Sequence, residues 1–220
     1  MVNLEHYYQI KEKLPPTVKL VAVSKTKPVE DIATLYHAGQ HCFGENKAQE
    51  LKQKHEALPN IEWHFIGHLQ SNKIKYIAPF VALIHSIDSY NLLQEVNKHA
   101  IKHNRIIPCL LQFHIAEEDT KFGFSWEEAE EMLKDTQFQT LHNVEIQGVM
   151  GMATFTDNQE QVTKEFRHLH HIFSQLKNSY FANHEHFKEI SMGMTDDYPI
   201  AIAEKSTMVR IGSAIFGGRG

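Results

Sequence analysis

Short apolar runs of strand length alternate with longer segments of helical period along this chain, and that alternation constrains its fold more than any other feature. The runs lie at 18–23, 41–44, 62–66, 81–87, 107–115, 145–150, 187–192 and 208–216. Between them, segments such as 29–38, 48–57, 90–102, 126–133 and 159–176 carry apolar residues at helical spacing. A further helix over 4–14 precedes the first run and is stopped by Pro15-Pro16. Runs such as Leu20-Val21-Ala22-Val23 have no polar alternation, as expected of strands buried on both faces. Strands joined through helices make right-handed crossovers and a parallel sheet covered on both sides. Eight such units in 220 residues predict one α/β domain, 1–220, closed as a (β/α)8 TIM-type barrel with an extra N-terminal helix. Periodicity alone leaves an open, doubly wound sheet as the alternative.

Composition narrows the function classes. A formal net charge of −5 argues against a nucleic-acid-binding surface, which needs a basic excess. No apolar run is long enough to span a bilayer. The start, Met1-Val2-Asn3-Leu4-Glu5-His6-Tyr7-Tyr8, lacks the basic-then-apolar order of a signal peptide. Two cysteines, Cys42 and Cys109, each inside an apolar run, read as small buried hydrophobes in a reducing compartment. A cytoplasmic location is the expectation.

In a parallel barrel, ligands sit at the carboxyl ends of the strands. The first run ends in Ser24-Lys25-Thr26-Lys27-Pro28, so Lys25 stands where an amine can form a Schiff base with an aldehyde such as pyridoxal phosphate. Taken alone, it reads first as a solvated loop lysine, and the other strand ends shift the balance. The second run ends in Gly44-Glu45-Asn46-Lys47, which offers Asn46 as a partner for an aromatic hydroxyl or as a helix cap. Ser71 or Asn72, past the third run, serve to start a helix. The sixth ends in Gly148-Val149-Met150-Gly151-Met152-Ala153, small residues between soft ones that suit a pocket wall or ordinary barrel packing.

Ser191-Met192-Gly193-Met194-Thr195-Asp196-Asp197 passes from strand to helix and offers backbone N–H groups and the Thr195 hydroxyl to an anion. Val209-Arg210-Ile211-Gly212-Ser213 then sets a cation, a bare backbone and a hydroxyl on the last strand. Loops after strands seven and eight form the usual phosphate site of such barrels. Metal binding has less support, despite sixteen histidines. Arg167-His168-Leu169-His170-His171 lies on an amphipathic helix, His184-Glu185-His186 lies in a loop, and no His-Glu-x-x-His pattern occurs. No Gly-x-Ser-x-Gly supports a serine nucleophile. Glu117-Glu118-Asp119 reads as a solvated loop, beside which Thr120-Lys121-Phe122-Gly123-Phe124 can fold over a pocket.

Six stretches together resemble the pyridoxal phosphate homeostasis proteins, related to the N-terminal barrel of bacterial alanine racemase. They are Val21-Ala22-Val23-Ser24-Lys25-Thr26-Lys27-Pro28, Phe43-Gly44-Glu45-Asn46, Trp63-His64-Phe65-Ile66-Gly67-His68-Leu69-Gln70-Ser71-Asn72-Lys73, Gly148-Val149-Met150-Gly151-Met152, Ser191-Met192-Gly193-Met194-Thr195-Asp196-Asp197 and Val209-Arg210-Ile211-Gly212-Ser213-Ala214-Ile215-Phe216-Gly217. The resemblance runs over essentially the whole chain. It implies that Lys25 holds pyridoxal 5'-phosphate as a Schiff base and that Asn46 lies near the ring's polar edge. It further implies that Met194, Thr195, Gly212 and Ser213 bind the phosphate and that Arg210 faces the ring nitrogen. A permanently charged guanidinium there keeps that nitrogen unprotonated and weakens the ring as an electron sink. Thr195 replaces the family's usual serine and Ser213 a frequent threonine, and both keep the hydroxyl. Phe113-His114 replaces a more usual valine-asparagine pair and is expected to alter the pocket floor.

The same resemblance implies a non-catalytic protein of vitamin B6 homeostasis that buffers or delivers the cofactor, with apo pyridoxal phosphate enzymes as recipients. An amino-acid racemase is the alternative, and a barrel enzyme handling phosphate with Lys25 as acid or base is a third. Racemisation needs proton donors on both faces of the reacting carbon. In alanine racemase the second is a tyrosine from a separate β-domain across a dimer interface. This sequence stops at Gly217-Gly218-Arg219-Gly220, just after the last strand, so the expectation is a carrier lacking that domain, and a monomer.

Overall fold

A computed structural model describes residues 2–117 and 122–217. Eight parallel strands close into a barrel in chain order: β1 (Lys19–Val23), β2 (Cys42–Glu45), β3 (Glu62–Phe65), β4 (Leu83–Ile87), β5 (Ile107–Gln112), β6 (Val144–Met150), β7 (Glu189–Ser191) and β8 (Met208–Ile211). Pairing of β1 with β8, Val21 opposite Arg210, completes the closure and excludes the open sheet. The helices are α1 (Leu4–Lys13), α2 (Val29–His37), α3 (Ala48–Ala57), α4 (Ile74–Ile77), α5 (Tyr90–Lys102), α6 (Trp126–Lys134), α7 (Gln159–Ser179), α8 (Tyr198–Ala203) and α9 (Ser213–Phe216). The expected N-terminal helix is α1, capped by the Asn3 side chain on the His6 N–H at 3.0 Å and tied to α9 by Asn3 N–H donating to Ile215 O at 2.8 Å. Ser125 and Glu128 cap α6 reciprocally.

The pleat divides the strand residues into two sets. Leu20, Ala22, Phe43, Trp63, Phe65, Ile84, Cys109, Leu111, Val149 and Val209 belong to the main core, between sheet and helices. Leu83, Leu110, Met150 and Met208 form a small separate cluster inside the barrel. The rest of the lumen is largely polar, and that division sets up the chemistry below.

Several sequence boundaries are corrected. The last run is two elements: β8 ends at Ile211, and Ser213 opens the short helix α9, so its hydroxyl stands on a helix start instead of a strand. The fifth strand ends at Gln112, and Phe113 and His114 follow it. Phe113 is buried against Phe124 in the outer core and His114 is exposed, so this pair does not form the pocket floor. Gln112 lines the pocket instead. The segment 71–77, unassigned from periodicity beyond a helix start at Ser71 or Asn72, is a 3-10 turn over Ser71–Lys73 running into α4. Four residues of the acidic loop and its neighbour, 118–121, lie outside the described residues. No helix among the described residues is long and apolar enough to cross a membrane.

Candidate functional site

A cavity of about 440 Å³ opens at the carboxyl ends of the strands, and all seven expected site residues, Lys25, Asn46, Met194, Thr195, Arg210, Gly212 and Ser213, line it. Lys25 occupies the second position of a tight turn closed by Lys27 N–H donating to Ser24 O at 3.0 Å. The next residue, Thr26, is held at φ +65°, a strained value for a β-branched side chain. Its N–H donates to Glu50 Oε1 at 2.6 Å. On the other flank, the Ser24 hydroxyl donates to Glu45 Oε1 at 2.6 Å, and the Lys54 ammonium donates to Ser24 O at 2.8 Å. Lys54 also bridges Glu45 and Glu50, both at 2.7 Å. This buried ion cluster between β2 and α3 fixes both neighbours of Lys25. Among the described residues no hydrogen bond or ion pair engages the Lys25 amine itself, which is half-buried and faces the cavity.

Asn46 is not a helix cap; that position belongs to Lys47, and the buried Asn46 Oδ1 has no hydrogen-bond partner among the described residues. A Cβ on Gly67 would collide with the Asn46 backbone, so the β3–α4 loop packs closely beneath it. Across the cavity, the Ser213 and Thr195 hydroxyls meet at 3.1 Å. The Met194 N–H, expected to be free for an anion, donates to Asp197 Oδ1 at 2.5 Å, and Gly193 before it takes φ +96°. Burial raises the Asp197 carboxyl above its usual range, with Arg210 and the Met194 bond pulling the other way.

Arg210 is 4% exposed. Its Nη1 donates to Ser191 Oγ at 2.6 Å and its Nη2 to Gly151 O at 3.1 Å. Burial brings the guanidinium down to about 10, still a cation at neutral pH. Behind it, Ser191 Oγ lies 2.8 Å from His85 Nδ1, His85 Nε2 lies 2.8 Å from His64 Nδ1, and His64 Nε2 lies 2.9 Å from Glu62 Oε1. Glu62 also accepts from the Lys19 ammonium at 3.0 Å. Burial lowers both imidazoles below the usual histidine value, His85 well below it, so both are neutral at pH 7. The His64 hydrogen bond leads in bringing the Glu62 carboxyl down to about 2.

Sequence reasoning missed this chain and the wall residues His68 and Phe155, while Phe122 lines the cavity as its segment was expected to. His68 stacks on Phe122 with ring centroids 4.0 Å apart and lies 2.9 Å from Asp88 Oδ2. Phe122, 53% exposed, and Phe155, 86% exposed, flank the mouth, while Met152 lines the wall as the soft-residue pattern of strand six anticipated. Cys42, Glu62 and His64 place ligand-type atoms within 4.8 Å of one another, a grouping that no sequence spacing signalled. The Lys19 ammonium already supplies the positive charge at Glu62, and burial holds the Cys42 thiol well above its usual value, hence protonated. A larger groove of about 740 Å³ outside the barrel, beside α5 and α6, is lined mostly by carboxylates and contains none of these groups.

The cavity therefore combines an amine and a buried amide oxygen that are unpaired among the described residues, a fixed guanidinium, and a pair of hydroxyls, Ser213 at the start of α9 and Thr195 between β7 and α8. An aldehyde on a pyridine ring bearing a phosphate fits that set of groups.

Comparison with known proteins agrees in family and fold. Residues 4–220 match the family described as Alanine racemase, N-terminal domain. The pyridoxal phosphate homeostasis protein of Aquifex aeolicus is 40% identical over 203 residues, 91% of this chain and 87% of that protein. The one from Pasteurella multocida is 40% identical over 221 residues, 99% of this chain and 93% of that protein. The structure of PipY from Synechococcus elongatus with pyridoxal phosphate bound superposes with a TM-score of 0.88 at 32% identity, covering 97% of this chain and 99% of PipY. An alanine racemase from Clostridium difficile shares the fold at 14% identity, with a TM-score of 0.82 over 98% of this chain and 56% of the racemase.

Proposed function

The chain belongs to the alanine racemase N-terminal domain family and, within it, to the pyridoxal phosphate homeostasis proteins, and we propose that it binds pyridoxal 5'-phosphate on Lys25 to buffer or deliver it. The observation that carries this is the Lys25 amine, without a partner among the described residues, facing the cavity across from the Thr195 and Ser213 hydroxyls. Condensation of that amine with an aldehyde forms a C=N bond and releases one water; hydrolysis returns both. Such reversibility suits a carrier. When bound, the cofactor supplies a carbonyl for amines and an electron sink for carbanions. This chain's residues would hold it: Asn46 at the ring hydroxyl, Arg210 at the ring nitrogen, and Thr195, Ser213 and the backbone at Gly212 at the phosphate, which the Met194 N–H would reach only by leaving Asp197 Oδ1.

A non-catalytic role is favoured by the relatives' names and by the cavity wall. Two-sided proton transfer needs a second acid or base opposite Lys25. Among the described residues no tyrosine lines the cavity, His68 is already stacked on Phe122 and bonded to Asp88, Asp197 accepts from the Met194 N–H, Lys27 donates to Gly217 O, and Asp196 is exposed. The proposal extends to a cytoplasmic monomer with apo pyridoxal phosphate enzymes as recipients.

The deciding experiment is an absorbance spectrum with added pyridoxal phosphate, before and after borohydride reduction, followed by peptide mass mapping. A reduced pyridoxyl adduct on Lys25, absent in Lys25→Ala, is expected. A protein that stays colourless and unmodified would overturn the proposal, and amino-acid racemisation at enzymatic rates would replace carrier with racemase.

A further inference from the structure

The polar residues inside the barrel need an explanation that fold stability does not supply. His64 on β3, His85 on β4 and Ser191 on β7 are all at most 1% exposed, in a lumen that Leu83, Leu110, Met150 and Met208 show can be filled with apolar side chains. Desolvating them is unfavourable unless every polar atom is paired, and here they form one unbroken chain. It crosses the lumen: His85 and Ser191 belong to strands that are not neighbours, yet meet at 2.8 Å. One end is Arg210 at the cavity. The other is Glu62, the first residue of β3, beside Lys19, the first of β1, at the opposite mouth of the barrel.

The two ends fix the direction of every bond between them. A guanidinium only donates and an ionised carboxylate only accepts. Ser191 Oγ accepts from Arg210, so its own proton goes to His85 Nδ1. His85 is then protonated on Nε2 and donates to His64 Nδ1, and His64 is protonated on Nε2 and donates to Glu62. The reverse order would leave the Ser191 hydroxyl without an acceptor and point a lone pair of His64 at the carboxylate.

We propose that Ser191, His85, His64 and Glu62 form a one-way hydrogen-bond relay through the barrel that fixes the orientation of Arg210 at the cofactor's ring nitrogen. They are positioning residues, and the role rests on the pyridoxal phosphate function proposed above. The relay locks Arg210 as an oriented donor, which keeps the ring nitrogen without a proton of its own and the bound cofactor a weak electron sink. A change at Glu62, on the far mouth, thereby reaches the cofactor through the barrel interior.

The first test needs no variant and no cofactor. Long-range ¹H–¹⁵N correlation on the wild-type chain should show both His64 and His85 protonated on Nε2 and bare on Nδ1. A proton on Nδ1 of either ring would overturn the relay. The second test compares variants by pyridoxal phosphate titration and absorbance, with folding checked by circular dichroism. Ser191→Ala and His85→Met should weaken binding about tenfold, the loss of one hydrogen bond to a charged group. His85→Gln, which both accepts and donates, should stay within about threefold of wild type by the same scale. If wild type binds and all three variants match it in affinity and spectrum, the relay has no role at the cofactor. If wild type takes up no cofactor, the function proposed above fails, and the tautomers alone decide whether the relay exists.

Discussion

Replacing Lys54 tests how the Lys25 turn is held. The Glu45 carboxylate is fully buried and its Oε2 has no partner among the described residues; Oε1 depends on the Ser24 hydroxyl and the Lys54 ammonium. Removing one member of a buried pair costs about 3–5 kcal/mol, because the other charge stays behind. Burial already raises the Glu45 carboxyl even with Lys54 present. In Lys54→Met it rises further, so the folded chain holds a proton that the unfolded chain releases above about pH 4.5, and stability falls as pH rises at up to about 1.4 kcal/mol per unit. The destabilisation should therefore be modest at pH 5 and approach about 3 kcal/mol at pH 7.5, or about 6–12 °C in Tm for a chain this size. Urea melts at the two pH values measure this, and the double variant Lys54→Met/Glu45→Gln should regain most of the loss. Equal destabilisation at both pH values, or a double variant worse than the single, would refute the buried-pair argument. Cofactor uptake gives a second readout, since loosening Ser24 and Thr26 should slow the reaction at Lys25 between them.

Three further outcomes follow from the cavity and lumen. Asn46→Ala removes a buried oxygen that has no hydrogen-bond partner among the described residues, so the apo melting temperature should hold or rise while pyridoxal phosphate affinity drops about tenfold; parallel loss of both would argue for a structural role. Gly67→Ala places a methyl against the Asn46 backbone and should destabilise by about 1–3 kcal/mol in a denaturant melt. Burial depresses His64 and His85, so the unfolded chain binds their protons first and stability should drop as pH falls below about 6.5, by up to about 1.4 kcal/mol per unit for each. Glu62, brought down to about 2 chiefly by His64, adds a loss in the same direction below about pH 4.5. A flat urea midpoint between pH 7 and pH 5 would contradict the two neutral histidines.

What could be read from the sequence follows from the range of each interaction. Strand existence and order come from local apolar runs, so an α/β sheet was legible from pattern, while its closure was open until β1 met β8; strand ends offered the candidates, and the resemblance of the motifs singled out the seven that line the cavity. Boundaries failed where the apolar pattern outlasts the geometry. Val209 through Phe216 is nearly continuous in small and apolar residues, yet the chain leaves the sheet at Gly212, whose backbone lies so close to Val23 O that a Cβ would sit 3.0 Å away. Phe113 extends an apolar run past β5 for a different reason: it packs on Phe124 outside the barrel, so pattern continuity marked core and not pocket.

The lumen was not legible because its partners meet only after closure. His64 and His85 sit twenty-one residues apart, and His85 lies 106 residues from Ser191. Each looks alone like a polar interruption of an apolar strand. A local signal did exist: both histidines stand at inward-facing strand positions, where a lone buried imidazole would be costly. Two such interruptions on adjacent strands are within reach of each other once the sheet forms, and here they pair, with Ser191 joining from across the barrel. The same closure explains why the Lys25 turn is rigid. Glu45, Glu50 and Lys54 read separately as an ordinary strand end and a charged helix face, but α3 folding back on β2 joins them beside Ser24 and buries Glu45 and Lys54. Local pattern therefore places the residues that touch a ligand, while the residues that hold those in position come from contacts that only the closed barrel creates.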